Sequence, residues 1–303
     1  MTGGRGQLRA SAPVNEKIES LPGGTAPFGS NFLGIWRLTA YLLVTLMLTP
    51  LQAVFTLTGM RLGEKLPVFY HRRCCRIMGI EITVRATISA ARPTLFVSNH
   101  SSYLDIAVLG SLIPGCFVAK SEVATWPLFG FLAKLQRTVF VDRRRGTSHR
   151  QRDQLQERLH AGDNLILFPE GTSNDGNRVK PFRSALLSVA ETPTGNGPLV
   201  TQPVSVAYVE MNGIPMGRGL RPMVAWYGGM SLGPHLWQFS RLGRVKVVVD
   251  FHDAVRIDPL GSRKELTRYC SESVANGVEL ALSGRPADPV LAASDKNPAV
   301  TES

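Results

Sequence analysis

Hydrophobic and polar positions follow two regimes along the chain. From 32 to 57 the sequence is almost continuously apolar, and 38–55 carries no charged residue, close to the roughly 18–20 residues that cross a bilayer as a helix. This run follows 30 residues rich in Gly, Ser, Pro and Thr that read as a flexible tail. It leads into Gln, Thr and then basic residues rather than a small-residue cleavage site, so 31–60 is predicted to be a retained membrane anchor and not a signal peptide. Pro50 leaves two forms open: one spanning helix, or two shorter helices that meet near the proline and sit in one leaflet. The segment 61–84, with Arg61, Lys65, Arg72, Arg73 and Arg76, is predicted to be a basic linker helix facing the cytoplasm and its anionic lipids.

Beyond it the pattern changes to short apolar runs alternating with amphipathic stretches, the signature of an α/β fold. Strands are predicted at 94–98, 116–119, 138–141, 164–168, 200–209, 223–227 and 245–251, and helices at 101–112, 126–135, 148–160, 182–191 and 262–282. Gly171, Gly176, Gly195 and Gly197 mark loops. The residues 85–282 are therefore expected to form a single α/β domain, a mixed central sheet flanked by helices. The remaining 283–303, rich in Ala, Pro, Ser and Asp, are expected to be disordered.

Composition narrows the classes. With 44% apolar and 19% charged residues, the chain is neither a disordered polyelectrolyte nor a protein built mostly of membrane spans. The balance of 34 basic against 23 acidic residues gives a net charge of +11, which predicts attraction to phosphate-bearing partners. Zinc-ligand spacing, an aromatic RNA-binding block and a uniformly basic helix are all missing, so no nucleic-acid partner is expected and an anionic membrane surface is. Cys74, Cys75, Cys116 and Cys270 form no CxxC pair and have no ligand-spaced His, so neither a metal site nor a disulfide framework is predicted.

Two islands carry candidate chemistry. The first reads Thr-Leu-Phe-Val-Ser-Asn-His-Ser-Ser-Tyr-Leu-Asp over 94–105: a strand, polar residues, then a helix start. His100 falls at the carboxyl end of a strand, where α/β proteins bind ligands. Asp105 reaches it only if the histidine folds back over the first helical turn; a carboxylate on Nδ1 then leaves Nε2 as a general base. Ser101 and Ser102 are expected to cap the helix, because no nucleophile elbow surrounds them. The second island is Phe-Pro-Glu-Gly-Thr-Ser over 168–173, where Pro169 stops a strand and Gly171 lets backbone amides approach a ligand. Each island taken alone has an ordinary structural use.

Taken together they have more than that. His100 with Asp105, then Val139-Phe140-Val141-Asp142-Arg143, then Phe168-Pro169-Glu170-Gly171-Thr172, then Gln202-Pro203-Val204 stand in this order at strand ends. The arrangement resembles the glycerolipid acyltransferase family typified by 1-acyl-glycerol-3-phosphate acyltransferase, over roughly 85–255. The resemblance implies that His100, oriented by Asp105, deprotonates a lyso-lipid hydroxyl that attacks the thioester of acyl-CoA or acyl carrier protein. It implies no acyl-enzyme, no metal and no other cofactor. It further implies that Arg143, Glu170, Gly171 and Thr172 hold the acceptor and that Lys120 meets an anionic group. Amides near Gly171 are one possible oxyanion hole. The expected activity is 1-acyl-glycerol-3-phosphate O-acylation in phospholipid biosynthesis, on the cytoplasmic side of a bacterial inner membrane. Ser173 stands where many phosphate-acceptor members have Arg, and the 213–237 blocks resemble a branch that includes lyso-ornithine lipid acyltransferases, so that activity is the alternative.

Overall fold

The structure, a computed structural model, describes residues 29–60, 62–141, 148–191, 193–194 and 197–284. The predicted tails lie almost wholly outside the described residues, as do Arg61 and Arg143. Helix α1 (Asn31–Leu57) starts at Ser30, whose hydroxyl accepts from Leu33 N–H at 3.3 Å, and continues unbroken through Pro50. The break near Pro50 that the sequence left open does not occur. Helix α2 (Leu62–Met78) folds back against it.

The predicted linker helix over 61–84 is shorter than expected. Gly79, at φ +75°, ends α2, and β1 (Ile80–Arg85) joins the main sheet as an edge strand. Its signal was the alternation of Ile80, Ile82 and Val84 with the polar Glu81, Thr83 and Arg85. The chain continues through β2 (Thr94–Ser98), α3 (Leu104–Gly110), β3 (Cys116–Lys120), α4 (Phe129–Leu135), β4 (Val139–Val141), α5 (Ser148–His160) and β5 (Leu165–Leu167). It ends with β6 (Val200–Met211), α6 (Leu232–Arg241), β7 (Val245–Phe251) and α7 (Arg263–Leu282).

Two further predictions are corrected. The segment 223–227 is no strand: both sides of β6 are already taken by β2 and β7, and its first residue closes a 3₁₀ turn (Arg221–Met223) with Pro222 at its centre. Ser184–Glu191 is 3₁₀ rather than α, and its buried Leu187, Val189 and Ala190 do not follow a 3.6-residue stripe.

The sheet order is β1-β7-β6-β2-β5-β3-β4. The strands β6, β2, β5, β3 and β4 run parallel, β7 runs antiparallel to β6, and β1 is parallel to β7. All five residues of β2 are buried, as expected for a strand covered on both faces. Alternation sends Phe96 to one side, with Val108 and Leu109 of α3, Cys75 of α2 and Phe239 of α6. Leu95 and Val97 go to the other, where α7 lays Leu266, Cys270, Val274 and Val278 at helical spacing. Each such aliphatic side chain contributes about 1.5–3 kcal/mol on burial. Helix α7 is N-capped by Ser262, whose hydroxyl accepts from Glu265 N–H at 3.2 Å. This topology places the carboxyl ends of β2, β5, β3 and β4 side by side at one end of the sheet.

Candidate active site

His100 sits just beyond β2 because Asn99 prolongs the sheet with its side chain. Its amide donates to Val206 O at 2.9 Å and accepts from Val206 N–H at 2.8 Å, so the ladder to β6 continues one step after the strand ends. The backbone then turns sharply. Trp226 N–H donates to Ser101 O at 2.9 Å and Asn174 N–H to His100 O at 3.1 Å.

Asp105, fully buried, is the hub of this turn. Its Oδ2 faces His100 Nδ1 at 3.0 Å and accepts from Ser101 N–H at 2.7 Å and Ser102 N–H at 2.9 Å. Its Oδ1 accepts from Tyr208 Oη–H at 2.8 Å. The turn is thus capped by the carboxylate, and Ser101 and Ser102 serve through their amides. The expected hydroxyl caps reduce to a long 3.4 Å contact from Leu104 N–H to Ser102 Oγ. Burial, with the Asp105 charge beside it, drives the Tyr208 phenol well above its ordinary range, so it stays a donor.

The imidazole stacks on Phe168 at 4.2 Å between centroids, and Phe168 stacks on Phe117 in turn. Nε2 has no hydrogen-bond partner among the described residues, and the side chain keeps 20% exposure. A histidine held at Nδ1 by a carboxylate and free at Nε2 is arranged to accept a proton from a bound hydroxyl.

Glu170 arrives from the end of β5. It is 2% exposed. One oxygen accepts from His100 N–H at 2.9 Å; the other accepts from Asn174 Nδ2 at 2.6 Å and Lys180 N–H at 3.2 Å. Burial pushes its carboxyl up, and these hydrogen bonds pull the other way. It ties the second island to the first. Gly171, at φ +70°, allows the tight turn, but its N–H is spent on Phe168 O at 3.1 Å, which removes it from the candidate oxyanion donors. Thr172 is exposed beside it.

Lys120 ends β3, two strands from His100 at the same end of the sheet, or about 10 Å at the usual strand spacing. Tyr208, Asn99 and Asn174 had not been singled out from the sequence. Only Asn99, a polar residue directly after an apolar strand, carried a local signal.

Beside Phe117, α1, α2 and α4 line a partly open apolar pocket of about 230 Å³, bounded among others by Leu48, Tyr70, Leu104, Trp126 and Leu132. The four cysteines are buried and unpaired, their thiols pushed up to about 11 at Cys116 and about 12 at the other three by burial. None is a nucleophile at neutral pH.

A family profile described as Acyltransferase matches residues 79–207. The chain is similar to the lyso-ornithine lipid O-acyltransferase of Brucella abortus, 41% identical over 250 residues that span 81% of this chain and 94% of that one. It is similar over a shorter stretch to the 1-acyl-sn-glycerol-3-phosphate acyltransferase of Neisseria gonorrhoeae, 30% identical across 52% of this chain and 58% of the relative. Among solved structures, the 1-acyl-sn-glycerophosphate acyltransferase PlsC of Thermotoga maritima shares the fold, with a TM-score of 0.56 and 23% identity over 83% of this chain and 100% of that one.

Proposed function

The chain belongs to the acyltransferase family and is an acyltransferase of the lysolipid type, and we propose that its acceptor is a lyso-ornithine lipid, acylated on a free hydroxyl with His100 as general base. The carrying observation for the chemistry is the His100–Asp105 pair at the carboxyl end of the central strand β2. For the acceptor it is that the relative named for that lipid matches along 94% of its length, against 58% for the relative named for the glycerol phosphate. This reverses the order of the two acceptors expected from the motifs.

In the proposed reaction the acceptor hydroxyl attacks the thioester carbonyl of acyl-CoA or acyl carrier protein while its proton passes to His100 Nε2. Asp105, facing Nδ1, stabilises the imidazolium that forms. Collapse of the tetrahedral adduct breaks the C–S bond, and the thiolate leaves with the proton from Nε2. No acyl-enzyme is required, in agreement with buried, high-pKa cysteines and the absence of a nucleophile elbow around Ser101 and Ser102. The apolar cavity beside Phe117 is suited to an acyl chain.

Membrane association is supported by α1, whose exposed Phe32, Ile35, Trp36, Leu43, Leu46 and Met47 form a stripe opposite its buried residues. The buried side is docked on the domain at both ends. Arg37 donates to the carbonyls of Ser240, Leu242 and Gly243, and Gln52 to those of Gly63 and Leu135. These two anchors are about 22 Å apart along the helix. A helix held this way favours lying in one leaflet over crossing the bilayer, with Lys65, Arg73 and Arg76 of α2 turned to anionic headgroups.

Competing lyso-ornithine lipid against lysophosphatidic acid at saturating thioester gives the ratio of specificity constants. The expected ratio favours the ornithine lipid; a preference for lysophosphatidic acid overturns the acceptor assignment.

A further inference from the structure

Arg221 opens the 3₁₀ turn between β6 and α6. It is 8% exposed, yet it joins no ion pair among the described residues. Burying a guanidinium without a counter-charge is unfavourable unless a ligand supplies one.

The side chain is held in place. Nη1 donates to Asn177 Oδ1 at 2.9 Å, and Asn177 is fixed by Asp175, which accepts from its backbone N–H and its Nδ2, both at 3.1 Å. Nε is buried with no partner. The Nε–Nη2 edge of the fork, two parallel donors, is thus unused among the described residues, and a ligand reaches the covered Nε once the side chains over it move aside. That edge matches two oxygens of a carboxylate or phosphate.

Its location is next to the catalytic turn. A Cβ placed on Gly176 would lie 3.8 Å from the Ser101 Cβ and 3.9 Å from those of Ala225 and Arg221, so one glycine separates Arg221 from the residue after His100. The same segment is strapped to that turn by Trp226 N–H on Ser101 O. The neighbouring charges pull in opposite directions: Arg218 repels Arg221 and Asp175 attracts it from beyond ion-pair distance.

We propose that Arg221 binds the anionic headgroup of the acceptor, the carboxylate in a lyso-ornithine lipid, through its Nε–Nη2 edge and so sets acceptor specificity. The proposal rests on the lysolipid reading of the His100 site. It assigns to this turn a role that neither sequence island indicated.

The test compares wild type with Arg221→Gln and Arg221→Lys, and with Arg268→Gln as a control that removes an exposed cation of α7. The acceptors are lyso-ornithine lipid, its carboxyl methyl ester and lysophosphatidic acid. Arg221→Gln is expected to raise KM for the carboxylate acceptor about 10- to 100-fold with donor KM unchanged, and to leave the methyl ester unaffected. Arg221→Lys, which keeps charge but not the fork, is expected to fall between. Equal loss on carboxylate and ester, or a KM for the carboxylate acceptor within threefold of wild type in both variants, overturns the subsite and leaves the acyl-transfer reading standing. If wild type prefers lysophosphatidic acid and Arg221→Gln raises its KM, the acceptor assignment falls and the anion subsite stands.

Discussion

Replacing Asp105 by Asn separates what the carboxylate does by shape from what it does by charge. Oδ2 takes three donors, from Ser101, Ser102 and His100, and an amide oxygen in that position keeps all three. The new NH₂ then points where Oδ1 was, toward the hydroxyls of Tyr208 and Ser101, both of which can rotate to accept. Fold and histidine tautomer therefore survive, and the negative charge is what disappears. That charge acts on an imidazolium that exists only after proton transfer. At a separation of about 4 Å and an effective dielectric constant near 20, the lost attraction is about 4 kcal/mol, an upper bound for a site that keeps some solvent access. Asp105→Asn is thus predicted to lower kcat by about 10²- to 10³-fold, with acceptor and donor KM little changed. Steady-state transfer of a radiolabelled acyl group by the purified protein in micelles measures this, and a thermal melt of the same sample reports the fold. A kcat within threefold of wild type refutes the electrostatic role. A variant that melts below the assay temperature shows instead that Asp105 serves to pin the turn.

Three other outcomes follow from the same structure. Glu170→Gln sets an NH₂ against a donor in either orientation, His100 N–H on one side or Asn174 Nδ2 and Lys180 N–H on the other, and is predicted to cost about 1–3 kcal/mol in denaturant unfolding; unchanged stability contradicts its tie between the two islands. His71, packed on Gly110, is held by burial at about 4, below its unfolded value near 6.5. The unfolded chain therefore binds more protons between these limits, and stability is predicted to fall by up to about 3 kcal/mol as pH drops from 6.5 to 4. His71→Phe should flatten that slope, and an identical acid sensitivity in the variant assigns it elsewhere. Replacing Trp36, Leu43 and Met47 together with Gln is predicted to release the protein from vesicles in a flotation assay without lowering its melting temperature, whereas a variant that still floats with the lipid removes α1 from the membrane contact.

Strands that sit centrally were readable because burial on both faces leaves continuous apolar runs, as in 95–97 and 165–167. β1 was not, since an edge strand needs few apolar residues and its short alternation of Ile80, Ile82 and Val84 with Glu81, Thr83 and Arg85 lay inside the stretch read as the basic linker helix. The 223–227 run was misleading for the opposite reason: Val224 and Ala225 are apolar because they are buried beside the catalytic turn, while both sides of the preceding strand β6 are already paired. At the site, His100 and Asp105 were visible through local spacing, five residues apart within one strand–helix turn. Tyr208 was invisible because it reaches Asp105 across 103 residues, and nothing local to β6 distinguishes its inward phenol from an ordinary core aromatic. Glu170 was legible as a position but not as a role: its contacts with His100 N–H and Asn174 depend on the adjacency of β2 and β5, which residue spacing does not report.

The central claim is that His100 takes the acceptor proton in a direct transfer. Its most direct test is the rate of acyl transfer from a radiolabelled thioester to lyso-lipid by His100→Ala, measured beside the melting temperature of the same preparation. The account predicts a loss of at least about 100-fold in a protein that folds and binds vesicles as wild type does. Turnover within a few-fold of wild type, or label recovered covalently on the protein, contradicts it.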